Sequence, residues 1–199
     1  SIGYASPVYG SERSEANLSL SFTVLQAYQD ELFLNANTEL TTHIVERQLE
    51  DSVFSASIKA VRKNLFHQTL AAQLSTVTGF RLNGESQVIL GGLNGLRGYE
   101  TRQFSGEKMI VLNMESRAVF WEHSLIVVGG ALFADIGYVW NGESFDLRNA
   151  KRSIGFGLRF SIPKLTESRV YRIDFEYPLD TAGKLPFKPV ITSAIGQAF

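Results

Sequence analysis

The densest chemistry in the chain lies in Gly91-Gly92-Leu93-Asn94-Gly95-Leu96-Arg97-Gly98-Tyr99. Here an arginine, with five donors held in a rigid fork, sits among glycines that permit tight, left-handed turns. Such a fork suits carboxylates, and two acids follow on separate alternating segments, Glu115 and Asp135. A carboxylate in an enclosed space is costly unless it is paired. Arg97, Glu115 and Asp135 therefore form a candidate buried ion cluster. A plainer arrangement stays open, in which both acids are solvated and pair with Arg117 or Arg159.

Other candidates carry less. Asp174 and Glu176 are two residues apart, about 7 Å along a strand, but no binding motif adjoins them and no enzyme is expected. Lys59, Arg159, Arg172, Asp174 and Glu176 read as polar lining. His43, His67 and His123 are too far apart to suggest a local ligand pair; His43 and His67 read as lumen or turn residues. With no cysteine, neither a disulfide frame nor a thiolate metal site can form. No phosphate-binding glycine loop is present, so no metal and no cofactor are expected. With 19 basic and 20 acidic residues, no net field recruits nucleic acid.

The elements that must position these residues read as strands. Apolar and polar residues alternate through Leu18, Leu20, Phe22 and Val24, through Ile154, Phe156, Leu158, Phe160 and Ile162, and through Tyr171, Ile173, Phe175 and Tyr177. Ten strands are predicted: 2–9, 16–27, 31–45, 52–63, 67–80, 108–120, 124–140, 153–162, 170–177 and 190–199. Many are long enough for the roughly 9–11 residues a tilted membrane-crossing strand needs. No stretch reaches the roughly 18 apolar residues of a spanning helix; the longest uncharged apolar run, 125–134, stops at Asp135. Tight links at 28–30, 64–66 and 121–123 and a fairly short one at 163–169 alternate with longer ones at 81–107, 141–152 and 178–189. The links at 10–15 and 46–51 are intermediate and charged. That alternation fits tight periplasmic turns and larger outer loops, with both chain ends on the periplasmic side. Tyr28, Phe80, Phe120, Trp121, Tyr138, Trp140 and Tyr177 fall at strand ends, where interfacial girdles belong. The expected fold is an all-β, antiparallel transmembrane barrel domain over 1–199, with a long inward-folded loop at 81–107. Parity then puts Val128, Leu132, Ala134, Ile136, Tyr138 and Trp140 toward lipid, and Phe133, Asp135, Gly137 and Glu115 toward the lumen. Gly137 would leave room for the incoming loop backbone.

Taken together, these motifs resemble the bacterial surface antigen superfamily of outer-membrane barrel-assembly insertases and two-partner secretion transporters. The resemblance rests on Leu96-Arg97-Gly98-Tyr99 in the loop, then Phe104-x-Gly106, Asn113-x-Glu115-x-Arg117 and Phe133-Ala134-Asp135-Ile136-Gly137. Further on it includes Gly155-Phe156-Gly157-Leu158-Arg159 with Pro163, and Arg172-Ile173-Asp174-Phe175-Glu176-Tyr177-Pro178-Leu179. It covers at least 67–199. Phe199, closing the chain, resembles the C-terminal signal by which such barrels are handed to their assembly machinery.

The resemblance implies a loop pinned inside the barrel by Arg97 on Asp135, residence in the bacterial outer membrane, and work on client polypeptides or barrel precursors without a cofactor. Its partners would be outer-membrane lipid, those clients, and periplasmic transport-associated domains missing from this chain. The family usually has sixteen strands, so ten imply either a reduced barrel or the C-terminal part of a larger one. Starting at Ser1 rather than methionine, the chain reads as processed or truncated. The alternative function is a structural barrel or passive channel that retains the motifs without transport. A soluble barrel with an apolar ligand inside is the third.

Overall fold

The computed structural model describes residues 1–5, 15–29, 31–45, 48–82, 87–92, 95–142, 145–162, 170–180 and 190–196. Ten strands form one antiparallel sheet in chain order: β1 (Ile2–Ala5), β2 (Glu15–Tyr28), β3 (Leu32–Val45), β4 (Gln48–Leu65), β5 (Gln68–Phe80), then β8 (Lys108–Glu122), β9 (Val127–Trp140), β10 (Lys151–Ser161), β11 (Val170–Pro178) and β12 (Val190–Ile195). Two short strands between β5 and β8, namely β6 (Val88–Leu90) and β7 (Phe104–Gly106), make a separate ladder. Among the described residues β1 pairs only with β2 and β12 only with β11, so the sheet is an open barrel wall.

Period-two alternation becomes rows across this wall. Ala36, Ile58, Leu74, Leu112 and Ile136 are successive cross-strand partners on β3, β4, β5, β8 and β9. Three residues along, on the opposite face, Ala71, Glu115, Phe133, Gly155 and Glu176 form another row. A shift of one residue would exchange the faces, so the hydrophobic pattern fixes register. The outer row is oily and the inner one carries charge.

Burial then inverts what a water-soluble protein does. Asp135, Asp174 and Glu176 are among the most deeply buried side chains, whereas Ile58 is 60%, Leu132 68% and Phe156 53% exposed. Leaving so many large apolar side chains on one continuous face is stable only against hydrocarbon. An arginine at Ile58, central in β4, should therefore reduce stability in a bilayer by about 2–4 kcal/mol. Urea unfolding in lipid vesicles measures this. A loss below about 0.5 kcal/mol, the scale of ordinary surface substitutions, would show that this face does not meet lipid.

Several connections differ from expectation. Only residues 46–47 separate β3 from β4, because the charged stretch at Glu50 and Asp51 continues the strand beyond a bulge between Thr41 and His43. The strict alternation of short and long links fails there. β9 begins at Val127 rather than at 124, since the backbones of His123 and Ile126 close a turn by exchanging hydrogen bonds at 3.0 and 3.2 Å. At the β4–β5 turn, Phe66 and His67 both adopt left-handed backbone, as a two-residue hairpin matched to strand twist requires. His67 is thus a turn residue. The aromatic girdle is present at the β9 end, where Tyr138 stacks on Trp140 at 5.4 Å and both meet Phe145 edge-on.

Candidate functional site

The long loop folds over the inner face. Pairing of Val88, Ile89 and Leu90 with Gly106, Ser105 and Phe104 narrows its base into a hairpin. Beyond that ladder, Leu90, Leu96 and Tyr99 pack with Val111 of β8, flanked by Phe104, Met109 and Val139. This small apolar core seats the loop against β8 and β9. Gly137 makes room here, but for side chains rather than backbone: a methyl group on it would lie 2.9 Å from Leu90 Cδ2 and 3.3 Å from Leu96 Cδ1. Gly98 adopts a left-handed backbone (φ +85°) close to Ser153, Glu176 and Pro178, so it serves both turn and close approach.

With the loop seated, Arg97 is 5% exposed and sits between two acids from neighbouring strands. Its Nε donates to Asp135 Oδ2 and its Nη2 to Asp135 Oδ1, both at 2.7 Å. Nη1 donates to Glu115 Oε2 at 2.9 Å, and the backbone N–H of Arg97 reaches Asp135 Oδ2 at 3.2 Å. The guanidinium lies 3.6 Å from the centroid of the Phe133 ring, a cation–π seat on the same inner row as Glu115. Asn113 ties the fourth side: its Nδ2 donates to Asp135 Oδ1 at 2.8 Å and to the Gly95 carbonyl at 2.7 Å.

The cluster extends past this pair. Glu115 Oε1 accepts from Arg117 Nε at 2.9 Å and from Arg159 Nη2 at 3.1 Å. Glu115 thus meets Arg97 together with the two arginines of the plainer arrangement, but neither acid is solvated and Asp135 pairs with Arg97. Arg159 Nη1 also donates to Asp174 Oδ1 at 2.5 Å, and Arg172 lies 3.5 Å from Asp174. Glu176 Oε2 accepts the Gly98 N–H at 2.9 Å, while its Oε1 accepts from Thr192 at 2.7 Å. Arginines 97, 117, 159 and 172 face acids 115, 135, 174 and 176 in equal number, which is what lets so many charges be buried. Such an array can brace a loop: Glu115, Asp135 and Glu176 each accept hydrogen bonds on both carboxylate oxygens.

A second anchor lies at the outer end. The Tyr99 hydroxyl is 2.7 Å from Asp180 Oδ2 and 2.9 Å from the Arg152 carbonyl, and Asp180 Oδ2 also accepts the Arg152 N–H. Burial, reinforced by the Asp180 carboxylate, holds the phenol above its ordinary pKa. Replacing Tyr99 by phenylalanine should remove one charge-assisted hydrogen bond, a loss of about 1.5–3 kcal/mol. Amides at 95–99 should then exchange faster with solvent, with the Arg97 contacts intact. Unchanged exchange there would mean that the anchor holds nothing.

The structure brings together Leu96, Arg97, Gly98, Tyr99, Glu115, Phe133, Asp135 and Gly137 around one loop. Phe199, Pro163, Leu93 and Asn94 lie outside the described residues. Lys59 lies on the inner face of β4, opposite Asn35 and Gln73. Sequence reasoning gave no anchoring role to Asn113, Glu176 or Asp180. Alternation did mark Glu176 as inward, but only the register, which places it one strand beyond Gly155, brings it to Gly98. A family model described as the Omp85 superfamily domain matches residues 8–199. No curated protein matches the chain.

Proposed function

This chain belongs to the Omp85 superfamily, outer-membrane proteins of polypeptide insertion and secretion, and from that membership we propose that it assists insertion, assembly or translocation of polypeptides at the bacterial outer membrane. The observation that carries the reading is the buried bridge from Arg97 to Glu115 and Asp135. It keeps the loop inside the wall and leaves the edges of β1 and β12 as the places where the sheet offers unpaired backbone among the described residues. A client segment in extended form would add to such an edge by main-chain hydrogen bonding, with no cofactor and no covalent step. Arg97, Glu115 and Asp135 act here as a brace that holds the lumen in one shape while the edge exchanges partners. Gly98 and Tyr99 fix the loop tip to β10 and β11.

The test is reconstitution of the chain into lipid vesicles followed by the folding rate of an unfolded outer-membrane barrel client. The expected result is faster client folding than in empty vesicles, with the gain lost in Arg97→Ala. Steady bilayer conductance without any client acceleration would replace this reading with that of a passive channel.

A further inference from the structure

The outward face carries a depression of about 550 Å³ across β4, β5, β8 and β9. Its cause is compositional. Ala60, Ala72 and Ala134 lie on one outward row interrupted only by Met114, while the adjoining row carries Leu32, Arg62, Leu70, Ser116 and Leu132. Three methyl groups form a floor and the leucines of the next row a wall. Its volume is within the roughly 300–1,000 Å³ of small-molecule pockets, and its lining is almost wholly apolar. One end is not apolar. Arg62 Nη2 lies 2.9 Å from Glu31 Oε2, both side chains nearly half exposed, beside the tight turn that follows β4. At the same level Ser116 hydrogen-bonds Gln68.

We propose that this groove is a binding site for one zwitterionic phospholipid with a primary ammonium headgroup, of the phosphatidylethanolamine class. The charge pattern selects it. Arg62 spends one donor on Glu31 and keeps others for a phosphate oxygen; Glu31 keeps an oxygen for the lipid ammonium. A purely anionic headgroup would satisfy Arg62 but set a second negative charge beside Glu31. A headgroup with a quaternary ammonium would offer Glu31 no N–H. Acyl chain fills the alanine floor, where a flat wall of larger side chains would give it less contact. The site needs only that the wall sit in a bilayer, so it stands or falls independently of any transport activity.

The experiment places the whole chain in nanodiscs of equimolar phosphatidylethanolamine and phosphatidylglycerol, extracts it in mild detergent and counts retained lipids by native mass spectrometry. Phosphatidylethanolamine should be retained about fivefold over phosphatidylglycerol, the effect of one charge-assisted contact. R62Q should lower its retention by about the same factor. E31Q should abolish the preference between headgroups, and A72L, which fills the floor, should reduce both lipids. Equal retention of the two lipids by the native chain, or an undiminished signal in A72L, would overturn the assignment. Should A72L fail to insert, a photoreactive acyl-chain phosphatidylethanolamine on the unaltered chain decides. Adducts concentrated at residues 60, 72, 114 and 134 support the site, and an even spread over the outward face refutes it.

Discussion

Arg97→Ala should release the loop at 87–106 from the inner face and destabilise the folded chain by about 3–5 kcal/mol, the scale of a broken buried ion pair. The effect falls unevenly on the two acids. Glu115 keeps Arg117 and Arg159 as donors, so it remains paired. Asp135, with no exposure at all, keeps among the described residues Asn113 and the loop's own backbone N–H, and the second of these leaves with the loop. An uncompensated buried carboxylate is the source of the cost. The double variant R97A/D135N should therefore be more stable than R97A alone, because the stranded charge is gone. R97K should fall between: it keeps the charge but loses the fork that reaches both Asp135 oxygens and Glu115 at once. Urea unfolding in vesicles gives the energies, and limited proteolysis at 87–106 reports the loop. A loss under about 1 kcal/mol with unchanged protection would remove Arg97 from the role of brace.

Why these particular acids could be anticipated, and others not, is a matter of range. Alternation acts over neighbouring residues, so the inward parity of Glu115, Phe133 and Asp135 and the outward parity of Leu132 and Ile136 were legible from the chain alone, and burial agrees. The Arg97 motif was legible because a guanidinium among glycines needs a carboxylate, and β8 and β9 follow it directly. Glu176 was passed over as ordinary lining because its partner is a backbone N–H 78 residues away, at a glycine whose position depends on the loop being seated first. Asp180 lies just past the end of β11, where no periodicity marks it, yet it meets Tyr99 across 81 residues. The start of β4 was misplaced for a related reason. Glu50 and Asp51 look like a loop by composition, but a strand rising clear of the hydrocarbon can carry charge on both faces. The loop's own ladder was hidden by brevity, since three residues at Phe104–Gly106 offer no period to read.

The burial pattern joins the site to the membrane argument. In a soluble barrel the inner face would hold the leucines and the charged row would meet water. Here Phe54 and Ile58 of β4 and the leucines of β5 and β9 face outward and the charged row is covered by the loop. The loop is therefore more than a lid. By excluding water from Arg97, Asp135 and Glu115 it strengthens the ion pairs that hold it in place. Site and plug form one cooperative unit on β8 to β11, which is why perturbation far from Arg97 should reach it.

Gly155→Val provides that perturbation at a residue that never touches Arg97. On the inner row Gly155 lies between Phe133 and Glu176, and the Phe133 ring fills the space where a side chain would stand. An added Cβ would fall 2.4 Å from Phe133 Cζ and 2.4 Å from the Phe175 carbonyl oxygen. The carbonyl belongs to the β10–β11 pairing and cannot move without loss of register; the ring carries the guanidinium 3.6 Å from its centroid, so displacing it disturbs the Arg97 seat. Valine at 155 should thus cost at least the roughly 1–3 kcal/mol of overpacking and should also free the loop to protease, as R97A does. Phe133→Ala in the same chain vacates the ring's volume. The double variant should regain part of the loss while the clash with Phe175 persists. If Gly155→Val instead leaves stability and loop protection at native levels, the ring is not the support on which Arg97 rests. The brace would then consist of the carboxylates alone.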